Sequence, residues 1–415
     1  MMMNNKYQTA KRIMVYVIIF SHFLVGCATT GGQNGAVKVG PKSSSSYNED
    51  VSKAISTTAP KLDVIIPIFD PGLSKSAENY EKDGIWPELR RAEANRFAYK
   101  LKQALDDSKA FGAVRVTPDE TASGDLYVLG KIEESDGQNV KIRLNVVDIS
   151  GKKWLNSSFS HEVQASFYKN TRNAGGDAYD PVFEKAAESI IKALQRRSAS
   201  ELDDLKYIAD LQFGASFNDT AFAEYMDTKG KIIKLVSKPS DHDPLFERVM
   251  AIRVREQLFV DNLQQTYVAF SQNMNDSYLA WQEASFTEKQ LRKEAQKKGI
   301  YKTVGGLLLI ALAIAAGSSG DSKNSNVLGD TAAVAGGIGG AILIADGFKS
   351  REEAKFHQEA LNELGESINL EMSPQVVSYE DETVKLTGNI QQQFQQWRAF
   401  LQRIYEQEST PDVKL

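Results

Sequence analysis

The residues whose types could support chemistry are few, and they form no recognisable constellation. The run 241–243, Asp-His-Asp, offers three metal ligands, but adjacent residues cannot all converge on one ion, so we predict a hydrated loop. His161 is predicted on a strand and His357 on a helix, and neither has a partner in a motif. Gly230-Lys231 lacks the rest of a phosphate-binding loop, and Gly337-Ile338-Gly339 lies inside an apolar helical pattern rather than between a strand and a helix. The sequence therefore predicts no catalytic residues, no metal and no enzyme.

The single cysteine carries a different prediction. Residues 1–26 combine three basic residues with an apolar core, 13–20, that is too short to span a membrane, which needs about 20 residues. This pattern predicts a signal peptide, the alternative being an uncleaved anchor helix with an incidental cysteine. Leu24-Val25-Gly26-Cys27 resembles the bacterial lipobox, which implies that Cys27 is acylated and begins the mature protein. Ala28 after it, instead of aspartate, implies the outer membrane, with the soluble part facing the periplasm. That covalent lipid is the only cofactor we expect.

Composition excludes several other classes. The 415 residues are 42% hydrophobic and 25% charged, which is typical of globular proteins and suits two or three domains. A net charge of -5 argues against nucleic acid as a partner, because such binding usually needs a basic domain. One cysteine excludes an internal disulfide framework. Residues 27–59 are rich in Gly, Ser, Thr and Asn and predict a lipidated N-terminus with a flexible tether.

Residues 60–200 predict one α/β domain with the order β-α-β-β-β-β-α. The compact apolar run 61–69 predicts a buried strand, and the alternating run 140–147 predicts an antiparallel strand with one solvated face. Asp136-Gly137 predicts a turn between strands, and 180–197 predicts a helix. With the helical patterns that follow, the fold class is α+β.

Several stretches of this domain carry a resemblance to a known family. They are 64–69 (VIIPIF), the helix 90–105, 111–116 (FGAVRV), 125–130 (DLYVLG) and 146–154 (VVDISGKKW). Their order resembles the α/β domain of the curli-secretion lipoprotein family and its relatives, which include the TolB N-terminal domain, flagellar T-ring lipoprotein-like proteins and activators of penicillin-binding proteins. The resemblance covers about 140 of the 415 residues. It implies no catalytic residues, because members of that family scaffold, dock or form rings.

The helix within 90–105 carries five basic residues: Arg90, Arg91, Arg96, Lys100 and Lys102. We predict a solvated helix surface, since a charge run on a helix usually faces water. The alternative is contact with an anionic partner such as lipopolysaccharide.

Residues 201–302 predict a helical region that contains one long helix from about 244 to 298. Six of its residues recur at heptad spacing: Val260, Leu263, Tyr267, Phe270, Met274 and Trp281. A small polar residue, Ser277, occupies the one remaining position of this seam. The seam predicts either a face packed inside the protein or self-association through a coiled coil.

Residues 303–348 predict an apolar helical hairpin. Two arms, 303–319 and 327–345, flank the polar bend 320–326, and the second arm is interrupted only by Asp330. Small residues at four-residue spacing allow close helix packing, as in membrane helix pairs. The candidate assembly residues are Gly305, Gly306, Ala332, Ala333, Gly336, Gly337, Gly340 and Ala341. The hairpin could cross the outer membrane, lie buried in the protein, or enter a membrane or partner only on assembly.

Residues 349–415 predict a C-terminal helical region. A charged helix covers 349–370, a loop or strand covers 371–388, and a final amphipathic helix follows from 390 to 408. That last helix places Phe394, Trp397, Leu401 and Ile404 on one face, which we expect to pack in the core or to dock a partner.

These features favour a non-enzymatic outer-membrane lipoprotein that assembles into an envelope ring or export conduit through 303–348. The expected partners are the outer membrane, further copies of the chain, and components of envelope secretion or surface appendages. The alternative function is a periplasmic adaptor lipoprotein that docks a cell-envelope machine or a cell-wall synthase.

Overall fold

The computed structural model describes residues 59–74, 80, 85–240, 242–297, 351–366, 368–379 and 382–409. The predicted signal peptide, Cys27 and the apolar segment 303–348 lie outside the described residues. Within the described residues the secondary structure is a mixture of helices and strands, so the α+β class is confirmed.

A mixed five-stranded sheet forms the centre of the fold. Its strands are β1 (Val64–Pro67), β2 (Val114–Thr117), β3 (Leu126–Ser135), β4 (Asn139–Asp148) and β5 (Lys153–Glu162). They lie in the order β2-β1-β3-β4-β5. β1 pairs in parallel with β2 and β3, whereas β3, β4 and β5 are antiparallel neighbours.

One helix lies between β1 and β2 in the chain, and the other described helices follow β5. These helices are α1 (Pro87–Asp107), α2 (Ala165–Lys169), α3 (Asp180–Leu194), α4 (Ala199–Ala215), α5 (Asp219–Phe222), α6 (Pro244–Lys297), α7 (Arg351–Gly365) and α8 (Ile390–Ser409). Two small hairpins lie outside the main sheet: β6 (Met226–Asp227) with β7 (Lys234–Leu235), and β8 (Gln375–Tyr379) with β9 (Glu382–Leu386). Between β1 and α3 the longer elements have the predicted order, with the short helix α2 inserted before α3.

The alternation in β4 explains which face of the sheet is covered. Val140, Ile142, Leu144 and Val146 are buried, whereas Arg143 on the other face is exposed. Because side chains alternate between the faces of a strand, the buried set faces α1 and α3, which pack on the sheet. The predicted one-sided strand is therefore confirmed.

Helix α6 is the longest element, with 54 residues and a length of about 80 Å. It packs against α1, β2, α4, α7 and α8. The six seam residues are all buried, with exposures of 7% or less. Ser277 within the seam is also buried, and its Oγ lies 3.0 Å from Nδ1 of His357 on α7. The heptad spacing thus marks a face that packs inside the chain.

The final helix also packs internally. Phe394, Trp397, Leu401 and Ile404 are buried. Two of these rings stack on Phe259 of α6, with centroid separations of 6.4 Å for Phe394 and 5.5 Å for Trp397. The apolar stripe of α8 is therefore a core face, the first of the two predicted alternatives.

Candidate functional site

The basic residues of α1 do not form a solvated surface, and that prediction is wrong. Arg90 and Arg96 are 6% and 1% exposed. Helix α6 covers this side of α1, and the carboxylates Glu93 and Asp177 neutralise the two guanidinium groups. A buried charge is tolerated only where it is paired and hydrogen-bonded. Arg96 therefore forms an internal contact between α1 and α6, whereas Arg90 donates to the carbonyl of Ser135 on β3.

The other three basic residues are also engaged. Lys100 Nζ lies 2.7 Å from Oδ1 of Asp180, and Arg91 Nε donates to the carbonyl of Gly365 at 2.6 Å. Lys102 pairs with Asp106 on the same helix. Each cation already has a partner within the chain, so none of the three is reserved for an external anion.

Arg96 is the centre of this contact. Its Nη2 donates to Oδ2 of Asp177 at 2.8 Å, and Nη1 donates to the carbonyl of Ser271 at 3.2 Å. Nη2 is also 3.0 Å from Oδ1 of Asn275, and the guanidinium lies 4.6 Å from the ring centroid of Tyr278. One side chain of α1 thereby contacts three residues of α6, which fixes the two helices in register.

Asp177 keeps its negative charge despite its burial. Burial alone would raise the pKa of this carboxyl, but Arg96 and Lys100 stabilise the charged form and hold its pKa below the ordinary value. Hydrogen bonds from the amide of Tyr179 at 2.9 Å and from Nε2 of Gln282 at 2.8 Å act in the same direction. The ion pair with Arg96 is therefore fully formed.

Glu93 has the opposite balance. Burial is the largest influence and raises the pKa of this carboxyl, with Arg90, Ser135 and Tyr278 opposing the rise. Oε1 accepts hydrogen bonds from the hydroxyls of Ser135 and Tyr278, the latter at 2.8 Å. Oε2 lies 3.3 Å from Nε of Arg90 but accepts no hydrogen bond. Glu93 is thus less well compensated than Asp177.

The turn between β3 and β4 forms a second contact with α6. Gly137 has φ +84°, and a Cβ at this position would lie 2.4 Å from Cβ of Ser285. Asp136 pairs with Lys289. Burial would raise the pKa of Asp136, but hydrogen bonding to Lys289 and backbone amides lowers it. The predicted turn is confirmed, and its glycine allows the close approach of the long helix.

The outer edge of β2 forms a third contact. Arg115 binds Asp261 of α6 through two bonds, Nε to Oδ1 at 2.6 Å and Nη2 to Oδ2 at 3.0 Å. The amide of Gln264 bonds to both backbone groups of Val116: Oε1 accepts from N–H and Nε2 donates to the carbonyl, each at 2.9 Å. Gln264 therefore completes the hydrogen bonds that a neighbouring strand would make.

A fourth contact lies near the start of α6. Arg253 pairs with Asp210 of α4, and its Nε donates to Oγ of Ser123 at 2.7 Å. Glu256 is 1% exposed and accepts from the amide of Ser123 at 2.9 Å. Burial raises the pKa of Glu256, whereas Arg398, Ser123 and Arg253 oppose the rise. Charged contacts to the rest of the protein thus extend along most of α6.

Helix α7 returns onto the same surface. Asn362 accepts from Nε1 of Trp86 at 2.9 Å, and a Cβ on Gly365 would lie 1.9 Å from the carbonyl oxygen of Glu88. From Trp86 to Glu88 the contacts with α7 move forward, from Asn362 to Gly365, so this part of the chain and α7 run in the same direction. From Glu93 to Arg96 the contacts with α6 move backward, from Tyr278 to Ser271, so α1 and α6 run in opposite directions. Helix α7 is therefore antiparallel to α6, so α6 ends and α7 begins at the same end of the pair.

A cavity of about 450 Å³ lies between the loop after α2 and α6. Its lining includes Phe167, Tyr168, Gly176, Leu279 and Glu283. Burial raises the pKa of Tyr168, whose hydroxyl has no hydrogen-bond partner. The titratable side chains of this lining are the Tyr168 phenol and the Glu283 carboxylate.

The described residues were compared with two further kinds of site, a cluster of metal ligands and a helix able to cross a membrane. They contain no group of three or more His, Cys, Asp or Glu residues able to hold a metal ion. The side chain of His242 is 95% exposed, and Asp241 lies outside the described residues. His161 lies on β5, where burial is the main influence that lowers its pKa. Among the described residues, no helix combines the length and the apolar character that a bilayer span requires.

The arrangement does not bring the predicted site residues together. The seam residues lie along α6, whereas Cys27 and the eight small residues of 303–348 lie outside the described residues. The ionic contacts of Glu93 and Asp177 and the hydrogen bond from Gln282 to Asp177 were not predicted. Polar residues interleaved with apolar ones on both α1 and α6 are the signal that could have indicated them. No family model, curated protein or solved structure matches the chain.

Proposed function

We propose that the chain is a non-enzymatic outer-membrane lipoprotein that assembles into an envelope ring or export conduit through 303–348. Acylation of Cys27 anchors it, the domain formed by 60–200 stands in the periplasm, and the apolar segment enters the outer membrane. Further copies of the chain and components of envelope secretion or surface appendages are its partners.

One observation carries this proposal. Helices α6 and α7 are antiparallel and both contact α1, so the chain enters and leaves the 298–350 interval at one end of a fixed helix pair. Arg96 and Asp177 bind α6 to this base, and Gly365 packs α7 against α1. Such a base fixes where the chain enters and leaves the 298–350 interval, which suits an assembly element.

The charge arrangement supports a structural role. The buried cations and carboxylates of the α1–α6 contact bind one another. Buried ion pairs with several hydrogen bonds specify one packing arrangement and exclude slipped registers, a role established in some proteins. We attribute that role to the Arg96–Asp177 pair.

The size of the protein in mild detergent tests assembly. A ring elutes at many times the monomer mass of 45.9 kDa, whereas an adaptor elutes near one or two copies. Deleting 303–346 should release small species that retain the circular dichroism spectrum of the folded domain. If large complexes persist in the deletion variant, this segment is not the assembly element.

A narrower variant tests packing by small residues. Replacing Gly336 and Gly340 by leucine should reduce the large species, because small residues allow helices to approach closely. Val334→Leu, in the same arm and similarly apolar, is the matched control and should assemble normally. Equal assembly of both variants would contradict packing through the small residues.

Accessibility of the bend tests membrane crossing. Asn324→Cys is labelled in intact cells with a membrane-impermeant maleimide. The parent strain, which has Cys27 but no cysteine at 324, is treated in the same way as the control. We expect labelling from outside the cell. Labelling only after the outer membrane is permeabilised would favour the periplasmic adaptor instead, and protection under both conditions would contradict a segment that crosses the membrane.

A further inference from the structure

The two edge strands of the five-stranded sheet differ in whether another element covers their outward backbone groups. β2, at one edge, has four residues and all of them are buried. Helix α6 lies along it, and Gln264 satisfies both backbone groups of Val116. This edge has no room for another strand.

β5, at the other edge, has ten residues. It pairs with β4 on one side and with no other strand among the described residues. From Leu155 to Glu162 the pairing with β4 is regular, without a register shift. Among described residues, the backbone groups between Leu155 and His161 bond only to β4. Half of their N–H and C=O groups therefore point away from the sheet.

The central part of β5 does not carry the usual protection of an edge. Natural edge strands discourage pairing by proline, by charged side chains or by bulges. The register shift in the pairing with β4 lies at Trp154, at one end of the strand, and the stretch from Leu155 to Ser160 contains neither proline nor a charged residue. Its exposed side chains, Asn156, Ser158 and Ser160, are small and polar. Such a strand can accept another strand without burying a charge.

The charges at the two ends of β5 indicate the partner. Lys153 begins the strand and Glu162 ends it, and both are exposed. In an antiparallel pair of two β5 strands, each lysine lies near the glutamate end of the other strand. A parallel pair would place like charges together at both ends. We propose that β5 pairs antiparallel with β5 of a second copy of the chain, which joins the two sheets across a twofold axis.

The pairing involves neither 303–348 nor the lipid anchor, so it stands or fails independently of the proposed function. Among the described strands outside the main sheet, β8 and β9 have five residues each, half the length of β5. Main-chain hydrogen bonds supply affinity in strand addition, so affinity grows with strand length. β5 is therefore the strand that we expect to pair.

Cross-linking of the full chain in mild detergent tests the contact. A twofold axis near the middle of β5 brings Ser158 of the two copies close together, so Ser158→Cys should form a dimer with a short bismaleimide. Ser378→Cys is the control, because Ser378 is also an exposed strand serine with one side-chain hydrogen bond. Absence of the dimer, equal yields at both positions, or cross-linking of Ser158→Cys only to other proteins would overturn the proposal.

Charge reversal tests the orientation. Lys153→Glu or Glu162→Lys alone should weaken dimerisation about tenfold, because each introduces like charges at both ends of the pair. The double variant should restore the dimer, as measured by sedimentation velocity. Both single variants should keep the circular dichroism spectrum of the parent, and a correctly folded double variant that stays monomeric would contradict antiparallel pairing.

Discussion

The two edges of the five-stranded sheet differ: α6 covers the edge formed by β2, whereas no described strand pairs with the outer side of β5. On the α6 side, the short strand β2 is covered by a helix whose Gln264 lies 148 residues further along the chain. On the β5 side, a longer strand keeps one row of backbone groups unpaired among the described residues. The strands of the sheet therefore do not determine which edge strand has its outward backbone groups hydrogen-bonded. A distant segment of the chain does so by contributing polar side chains.

The two sides also differ in how they use charge. The α6 side holds buried ion pairs such as Arg96–Asp177, with side chains 1% and 3% exposed. The α3 helix, which packs on β5, carries the exposed pair Lys192–Glu188. Removing one member of a buried pair leaves an uncompensated charge, whereas exposed pairs contribute little. The comparison therefore predicts very different costs for similar substitutions.

The largest effect is expected for Asp177. Asp177→Ala should lower the free energy of unfolding by about 3–5 kcal/mol, because Arg96 remains buried without its partner. Asp177→Asn keeps the shape but removes the charge and should also destabilise. Lys192→Ala is the control and should cost about 0.5 kcal/mol or less. Denaturant titration measures the free energy of unfolding of all three variants. Similar losses for Asp177→Ala and Lys192→Ala would show that the buried pair contributes no more to stability than the exposed pair.

Gly137 tests the close approach of the β3–β4 turn to α6. Gly137→Ala should cost about 2–3 kcal/mol, since positive φ disfavours alanine and the new Cβ would collide with Ser285. Gly175 has a similar φ of +78°, but a Cβ added there would meet nothing within 4 Å. Gly175→Ala should therefore cost only about 1 kcal/mol. Thermal or chemical unfolding of the two variants separates backbone strain from collision, and equal losses would contradict the contact.

Local patterns predicted the elements better than the contacts. The alternation around Ile142 and the stripe through Phe394 each reflect burial of one face, which is written into the spacing of apolar residues. The basic run on α1 was misinterpreted, because a solvated helix surface and a buried ionic contact have the same local pattern. Arg96 is buried by partners 81 and 179 residues away, Asp177 and Asn275. Only the tertiary fold brings such residues together.

Gln264 tests the closed edge directly. Gln264→Leu should cost about 1–3 kcal/mol, because the N–H and carbonyl of buried Val116 lose their partners. Gln265→Leu, at the exposed neighbouring position, is the matched control and should have little effect. Hydrogen exchange should accelerate at Val116 in the first variant alone. Unchanged exchange there would mean that α6 closes this edge without the amide.

The smallest expected effect is a change in how the free energy of unfolding depends on pH. It distinguishes Glu93 from Asp177 in the contact between α1 and α6. Burial raises the pKa of Glu93, so the folded state holds its proton more tightly than the unfolded state. Stability should therefore fall as pH rises from about 4.5 through the folded pKa, and Glu93→Gln should remove that decline. Asp177 has a lowered pKa and loses its contribution only below about pH 4. Unfolding measured between about pH 4 and pH 8 tests this, and parallel curves for wild type and Glu93→Gln would mean that Arg90 and Tyr278 compensate the charge completely.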